Sequence, residues 1–589
     1  MKKPTNIIKK ALSFIAAAFL TTAANNAQAV VFLWNNTGTN WTSPASWTNG
    51  VQPSSTSSST TTDEIQFGNF GANNNTVILT STRAAQNITF VTNANAYNIN
   101  SFNGTQILSS SRGITNNSTA IQTFNISLEN ANNSNTWFQT AGGALVFNNT
   151  ASLTTAASST SRTLTLAGDG SFTFNKELRQ GGLSTAGKVI YTGNGSVTFN
   201  GTNTLGGGFD IAGGGTVNVN GGTGVGQALI TLGGASGTTN MPILRINTTN
   251  GLSNLNSLRG STSLSTIGTL DLIGNDTNAV TTFVMNQYQG NNMSFTNRGE
   301  GKTLLQFTNA ANILTSSAAS GGGRRLFNNS TNLLVQFDGT LDVGGTVSDI
   351  SVIGGQGEFI FNGSLLNTGI GVRGLRKDGT GKVTMQAANT YNGDTVIAGG
   401  TLIVNSSLQS PMTTVNNGAL LGGSGSLQGV LLNGGTISAG NSAGLLSMNS
   451  LNASNGNFVF ELGAPSSRGI TYDAIDVTTS LTLGTDTDFT FEVLNNYVFS
   501  IGDSYDLFNF ASIDTTNFDI TKLDVALPTL NSNELAWNTS SFITDGMVSV
   551  IAVPEPSALQ MFGIGLISLI ACHRINKRNG KSNEKPITR

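Results

Sequence analysis

Residues 375–405 read LRKDGTGKVTMQAANTYNGDTVIAGGTLIVN, three short alternating apolar runs divided by Gly-rich and Asn-Gly turns. Val383 and Met385 can share one face of an extended strand, as can Val396 with Ala398 and Leu402 with Val404, because side chains on a strand repeat every second residue. Gly379, Gly381, Gly393 and the pair Gly399 and Gly400 stand at the turns, where a positive φ would strain other residues. Each run is therefore expected to supply one strand of a coil. One coil cannot bury these apolar edges, but stacked coils can, each strand bonding to its equivalents above and below.

The same grammar recurs elsewhere. GDGSFTF at Gly168, GNGSVTF at Gly193, GQGEFIF at Gly355 and GTGKVTM at Gly379 share a Gly-x-Gly-x-apolar-x-apolar core, the first pair 25 residues apart and the second pair 24. That spacing is a solenoid period. Segment 375–405 also resembles the autotransporter-associated β-strand repeat through Lys377, Gly379, Thr380, Gly381, Val383, Asn389, Thr390, Tyr391, Gly393, Thr395, Gly400, Thr401 and Leu402. LGGSGSLQGVLLNGGTISAGNSAGLLSM, residues 421–448, resembles the companion segment of such proteins, and a weaker copy begins at Gly187. The resemblance implies an all-β fold, a right-handed parallel β-helix. A wholly solenoid body of about 520 residues at about 24 per coil would give roughly 20 coils and a rod on the order of 100 Å.

Composition supports folding and narrows the partners. Charged residues make up 10% of the 589, Gly numbers 72 and Pro 10, so Asn, Ser and Thr must wet the surface. Disorder is disfavoured, because 38% of residues are hydrophobic and they sit in short Val, Ile, Leu and Phe clusters. A net charge of −2 argues against nucleic acid, whose affinity comes from many Lys and Arg. The one cysteine, Cys572, excludes an intramolecular disulfide. No cofactor is expected.

Both ends read as addresses. Lys2, Lys3, Lys9 and Lys10 precede an apolar stretch from Ala11 to Leu20, and Ala27 and Ala29 frame an A-x-A cleavage site, which is the order of a secretory signal peptide. Near the other end, Pro554, Glu555 and Pro556 precede an apolar run over residues 558–572 and the basic residues Arg574, Lys577 and Arg578. That run is expected to form a single transmembrane helix, stopped by the basic cluster on the cytoplasmic side. This order resembles the PEP-CTERM sorting signal, which implies recognition by an exosortase-type processing enzyme and delivery to the surface or extracellular matrix of a Gram-negative-type bacterium. The membrane is then a partner only through this helix, before processing.

The expected organisation is a signal peptide (1–29), an N-terminal β region with a Trp-rich cap (30–160), the repeat body (161–464), a C-terminal β segment (465–552), the sorting signal (553–578) and a basic tail (579–589). Trp34, Trp41 and Trp47 are expected to form the cap core, a sugar-stacking platform being the alternative. The only histidine, His573, lies in the terminal apolar segment, which leaves the body without Ser-His-Asp or His-metal chemistry. Arg373, Arg376, Lys377 and Asp378, and the pair Arg324 and Arg325, are expected to be structural or solvent-facing, and Asp473 and Asp476 to point to opposite faces. Asp210 stands alone, which is too little for a calcium-binding array. Polar ladders of Asn and Thr on a regular β surface suit contact with exopolysaccharide or with neighbouring rods. The expectation is therefore a non-enzymatic exported surface or matrix protein, with a polysaccharide lyase or hydrolase and an adhesin as alternatives.

Overall fold

The computed structural model describes residues 30–53, 62–69, 74–130, 134–153, 162–180, 187–221, 229–233, 241–248, 257–260, 267–314, 324–440 and 442–553, with residues 570, 573 and 574. These residues are almost entirely β and form a parallel β-helix. The chain divides into two compact units, 1–414 and 415–589.

In the first unit, short parallel strands stack in register. Ser171–Phe174 pairs with Ser196–Phe199, that strand with Thr216–Val219, and that with Ile243–Ile246. Phe172, Val197, Val217 and Leu244 thereby form one buried column. From Ser171 to Ser196 the step is 25 residues, to Thr216 it is 20, and to Ile243 it is 27. The expected period thus holds for the recognisable copies and drifts between them. Coil length is free to vary outside the strands, because only the paired residues must stay in register.

Farther along, each coil carries three strands. Leu365–Leu366, Arg373–Lys377 and Lys382–Met385 stack on Thr340–Asp342, Asp349–Gly355 and Glu358–Phe361 of the preceding coil. This corrects the reading of residues 375–405 as one coil. Val383 pairs with Leu402, Met385 with Val404, and Leu375 with Thr395, so the repeat spans parts of two successive coils. The facing of one run is corrected too: Thr395 and Ile397 are buried, while Val396 and Ala398 lie toward the outside. A hydroxyl is tolerated inside because Thr395 Oγ1 and the buried Tyr391 hydroxyl share a hydrogen bond of 2.7 Å.

Aromatic stacking fills the interior. Phe124, Phe147, Phe174 and Phe199 lie ring on ring at 5.4, 4.8 and 5.3 Å, and Phe307, Phe337 and Phe361 repeat this at 4.8 and 5.3 Å. At the glycine corner the coils approach until no side chain fits. A β-carbon on Gly381 would sit 2.0 Å from the carbonyl oxygen of Gly357.

Near the start, Val30–Leu33 pairs with Asp63–Phe67, and Trp34, Trp41 and Trp47 fill the space beside it. Trp47 meets Trp34 and Trp41 edge-on at 5.1 and 5.2 Å. All three are buried, which leaves no ring face for a sugar.

The second unit lengthens the strands. Ser426–Ala439, Leu445–Leu462 and Ala474–Val493 run parallel, the last also pairing with Phe508–Asp514. An antiparallel sheet of Ser504–Asp506, Met547–Ala552 and Leu535–Asn538 completes it. Two short helices, Thr521–Ala526 and Phe542–Asp545, accompany that sheet, and Phe542 packs against Phe489 and Phe508.

Candidate functional site

The repeat residues singled out from the sequence are architectural. Val383, Leu402, Tyr391 and Asn389 are buried. Asn389 accepts the Leu365 amide at 2.9 Å through Oδ1 and donates to the Ala387 carbonyl at 2.8 Å, tying two coils together. Gly379 (φ 72°) and Gly400 (φ 63°) are left-handed, whereas Gly393 is required by close approach, a β-carbon there lying 2.6 Å from the Arg373 carbonyl oxygen.

Lys377 is a buried cation in this corner. Its Nζ donates to the carbonyls of Asp378, Gly379 and Gly399 at 3.1, 3.0 and 2.9 Å, using all three donors. Burial brings it down to about 8 despite the Asp378 charge. Arg376 bonds Asp378 at 2.7 Å on the exposed side.

Arg324 and Arg373 are buried and converge beside Gly345. A β-carbon on Gly345 would meet Arg373 Nη2 at 2.1 Å and Arg324 Nη2 at 2.6 Å. Arg324 Nη1 donates to the Val343 carbonyl at 2.6 Å, and Arg373 Nη1 lies 3.6 Å from Asp349. Burial, then the neighbouring Arg373 charge, lower Arg324 to about 10, with Asp349 and Asp342 acting against.

Asp473 is buried and accepts the amides of Gly444 and Glu461, both at 2.8 Å, while Asp476 faces outward and pairs with Arg468 at 2.7 Å. Burial pushes Asp473 up; the two amides oppose this and the Glu461 and Glu492 charges reinforce it, leaving it at about 7. Asp210 pairs with Lys188 at 2.5 Å. Among the described residues, no group of three or more His, Cys, Asp or Glu is placed to hold a metal ion.

The most regular polar feature lies on the outside of the first unit. Asn125 donates to Asn100 at 2.8 Å, Asn148 to Asn125 at 2.7 Å, Asn175 to Asn148 and Asn200 to Asn175 both at 2.6 Å, and Asn220 to Asn200 at 2.8 Å. Asn247 donates to Asn220, and the Arg298 guanidinium donates to Asn247. Seven side-chain amides thus run in one direction, with a cation at the carbonyl end. Asp271 holds Arg298 at 2.8 Å and Arg245 at 2.9 Å. A signal for this ladder stands in the sequence: Asn follows the second inward residue of each strand, as in Phe147-Asn148, Phe174-Asn175, Phe199-Asn200 and Ile246-Asn247. Ser171, Thr173, Ser196, Thr198, Thr216 and Asn218 stand beside it, only partly covered.

The terminal signals fall elsewhere. Ala27, Ala29, Pro554, Glu555, Pro556, Lys577 and Arg578 lie outside the described residues; Arg574 is helical and exposed. Among the described residues, no helix is long and apolar enough to cross a membrane.

With this geometry in hand, comparison with known proteins is specific in one place. A model of the passenger-associated-transport-repeat family matches residues 375–404. No curated protein and no solved structure matches the chain. The repeat and the parallel β-helix together support an exported, surface-associated protein.

Proposed function

We propose that this chain is a non-enzymatic cell-surface or matrix protein whose outward polar face makes weak, multivalent contact with exopolysaccharide, and that its C-terminal segment is sorted by an exosortase-type enzyme. The observation that carries the first part is the asparagine ladder from Asn100 to Asn247 on the outside of the first unit. Strands stacked about 4.8 Å apart present the same amide group at every rung. A polymer with repeating hydroxyls meets such a surface many times, so contacts that are feeble singly add up along the chain.

Two measurements test this. Mature protein is passed over immobilised acidic and neutral polysaccharides, and the supernatants are assayed for reducing ends and unsaturated products. Retention without products is expected; product release would overturn the non-enzymatic reading, and failure to bind any polysaccharide would overturn the association. Mass spectrometry of the secreted protein addresses sorting, for which a C-terminus upstream of Arg589 is the expected result.

A further inference from the structure

The chain has five tryptophans, and four of them, Trp34, Trp41, Trp47 and Trp137, are buried. Trp537 alone is only half-buried, and it borders an open concavity of about 630 Å³ in the second unit. Small-molecule sites commonly fall in this range, roughly 300–1,000 Å³.

The lining mixes apolar and polar groups. Ile520, Trp537, Ile543 and Ile551 are its apolar members, and Asp524, Asn538, Thr539 and Ser540 its polar ones. Trp537 is fixed before any ligand arrives, since its Nε1 donates to the Pro528 carbonyl at 2.8 Å and its ring meets Phe499 at 5.1 Å and Tyr505 at 6.1 Å. Asp524 is fixed as well. Its Oδ1 accepts the Thr539 hydroxyl at 2.7 Å, which leaves Oδ2 for a ligand. Among the described residues, no Lys or Arg lines the concavity, and the Asp524 carboxylate is the one charge that does.

A pyranose ring has an apolar C–H face and a rim of hydroxyls, which call for the same pairing of an aromatic ring with nearby polar groups. The lone carboxylate accepts from hydroxyls and repels uronates and phosphates. We propose that this concavity binds a neutral saccharide unit, its C–H face against Trp537 and its hydroxyls toward Asp524 and Ser540. This rests on the reading of the chain as polysaccharide-associated and adds to it a discrete subsite, separate from the asparagine ladder.

Because Trp537 is the only tryptophan that solvent reaches, acrylamide quenching of the mature protein reports on it directly. Gluco- and xylo-oligosaccharides are titrated in, with oligogalacturonate and a tetralysine peptide as comparisons. Protection of Trp537 by a neutral oligosaccharide at millimolar concentration is expected, with at least about a fivefold weaker effect in Asp524→Asn and none from oligogalacturonate. Asp524 is exposed, so that variant keeps the fold and the fluorophore. No protection by any neutral oligosaccharide up to tens of millimolar, or protection by tetralysine alone, would overturn the proposal. Retention on immobilised polysaccharide is followed in parallel: Asp524→Asn protein that is still retained while unprotected wild type is also retained leaves the ladder reading standing and removes only the subsite.

Discussion

Asn200 donates its side-chain amide to Oδ1 of Asn175 at 2.6 Å, across two coils whose positions at that strand are 25 residues apart. The same bond is made above and below. Each amide in such a chain polarises the next, and because all the carbonyl ends point one way, negative charge accumulates at Asn247, where Arg298 donates to it. The ladder therefore links rungs through side chains, in parallel with the backbone bonds between strands.

Asn175→Ala removes a donor to Asn148 and an acceptor from Asn200 at once. Both bonds are exposed, so water replaces them in part, and a loss of about 1–2 kcal/mol is expected for two bonds at the usual net value. Urea unfolding of the first unit measures it. An unchanged midpoint would mean that the ladder decorates the surface without holding it.

The glycine corner predicts a contrast. In Gly381→Ala the new methyl would lie 2.0 Å from the Gly357 carbonyl oxygen, a backbone atom that cannot turn away. About 3 kcal/mol or more is expected, the cost of overpacking a rigid contact. Gly104 instead has a positive φ, of 83°, and nothing lies within 4 Å of its β-carbon position. Gly104→Ala should cost only the left-handed conformation, about 1–2 kcal/mol. Equal losses would show that the corner relaxes.

Lys377 makes stability depend on alkaline pH. Its ordinary value near 10.5 holds in the unfolded chain, and burial lowers it to about 8 in the fold. Between these values the unfolded state binds the extra proton, so stability must rise as pH rises, by up to about 3 kcal/mol at full extent. Differential scanning between pH 8 and 10 should show this gain in the first unit, and Lys377→Met should flatten it. The buried tyrosines, including Tyr97, which burial pushes up to about 12, work the other way only above pH 10.

The fold could be read from residues 375–405 because stacking demands local marks: glycine where coils touch, and alternation where strands face inward. Register could not be read there. Val396 and Ile397 are both apolar, and only the partner Thr395, held by Tyr391, decides which one faces in. The coil boundary was hidden for a related reason, since Val383 and Leu402 look alike whether they lie side by side or one above the other. The Arg324 and Arg373 pair is likewise invisible in one dimension, its members being brought together at Gly345 by the winding of the chain. The Asn ladder left a repeated trace, an Asn after each inward pair, but irregular coil lengths mask it from any fixed-period reading.

Asp473 sets the acid side of the second unit. It lies between the amides of Gly444 and Glu461, which favour its carboxylate, but burial and the charges of Glu461 and Glu492 outweigh them and hold it at about 7. In the unfolded chain it ionises near 4. Across that interval the folded state keeps a proton that the unfolded state has released, so stability is fully present below pH 4 and is lost as pH rises toward 7. Burial raises Glu461 and Asp506 in the same direction. The opposite trend from Asp514 and Asp519, which Thr516 and Thr521 lower by hydrogen bonding, acts below pH 4. Unfolding of the second unit should therefore need less denaturant at pH 7 than at pH 5. Glu492→Gln removes one of the like charges and should shrink that difference, whereas Asp473→Asn should leave only the part that Glu461 and Asp506 contribute, at the cost of one unpaired amide. A midpoint that climbs from pH 5 to 7 in the wild type would mean that the two amides, and not burial, govern this carboxylate.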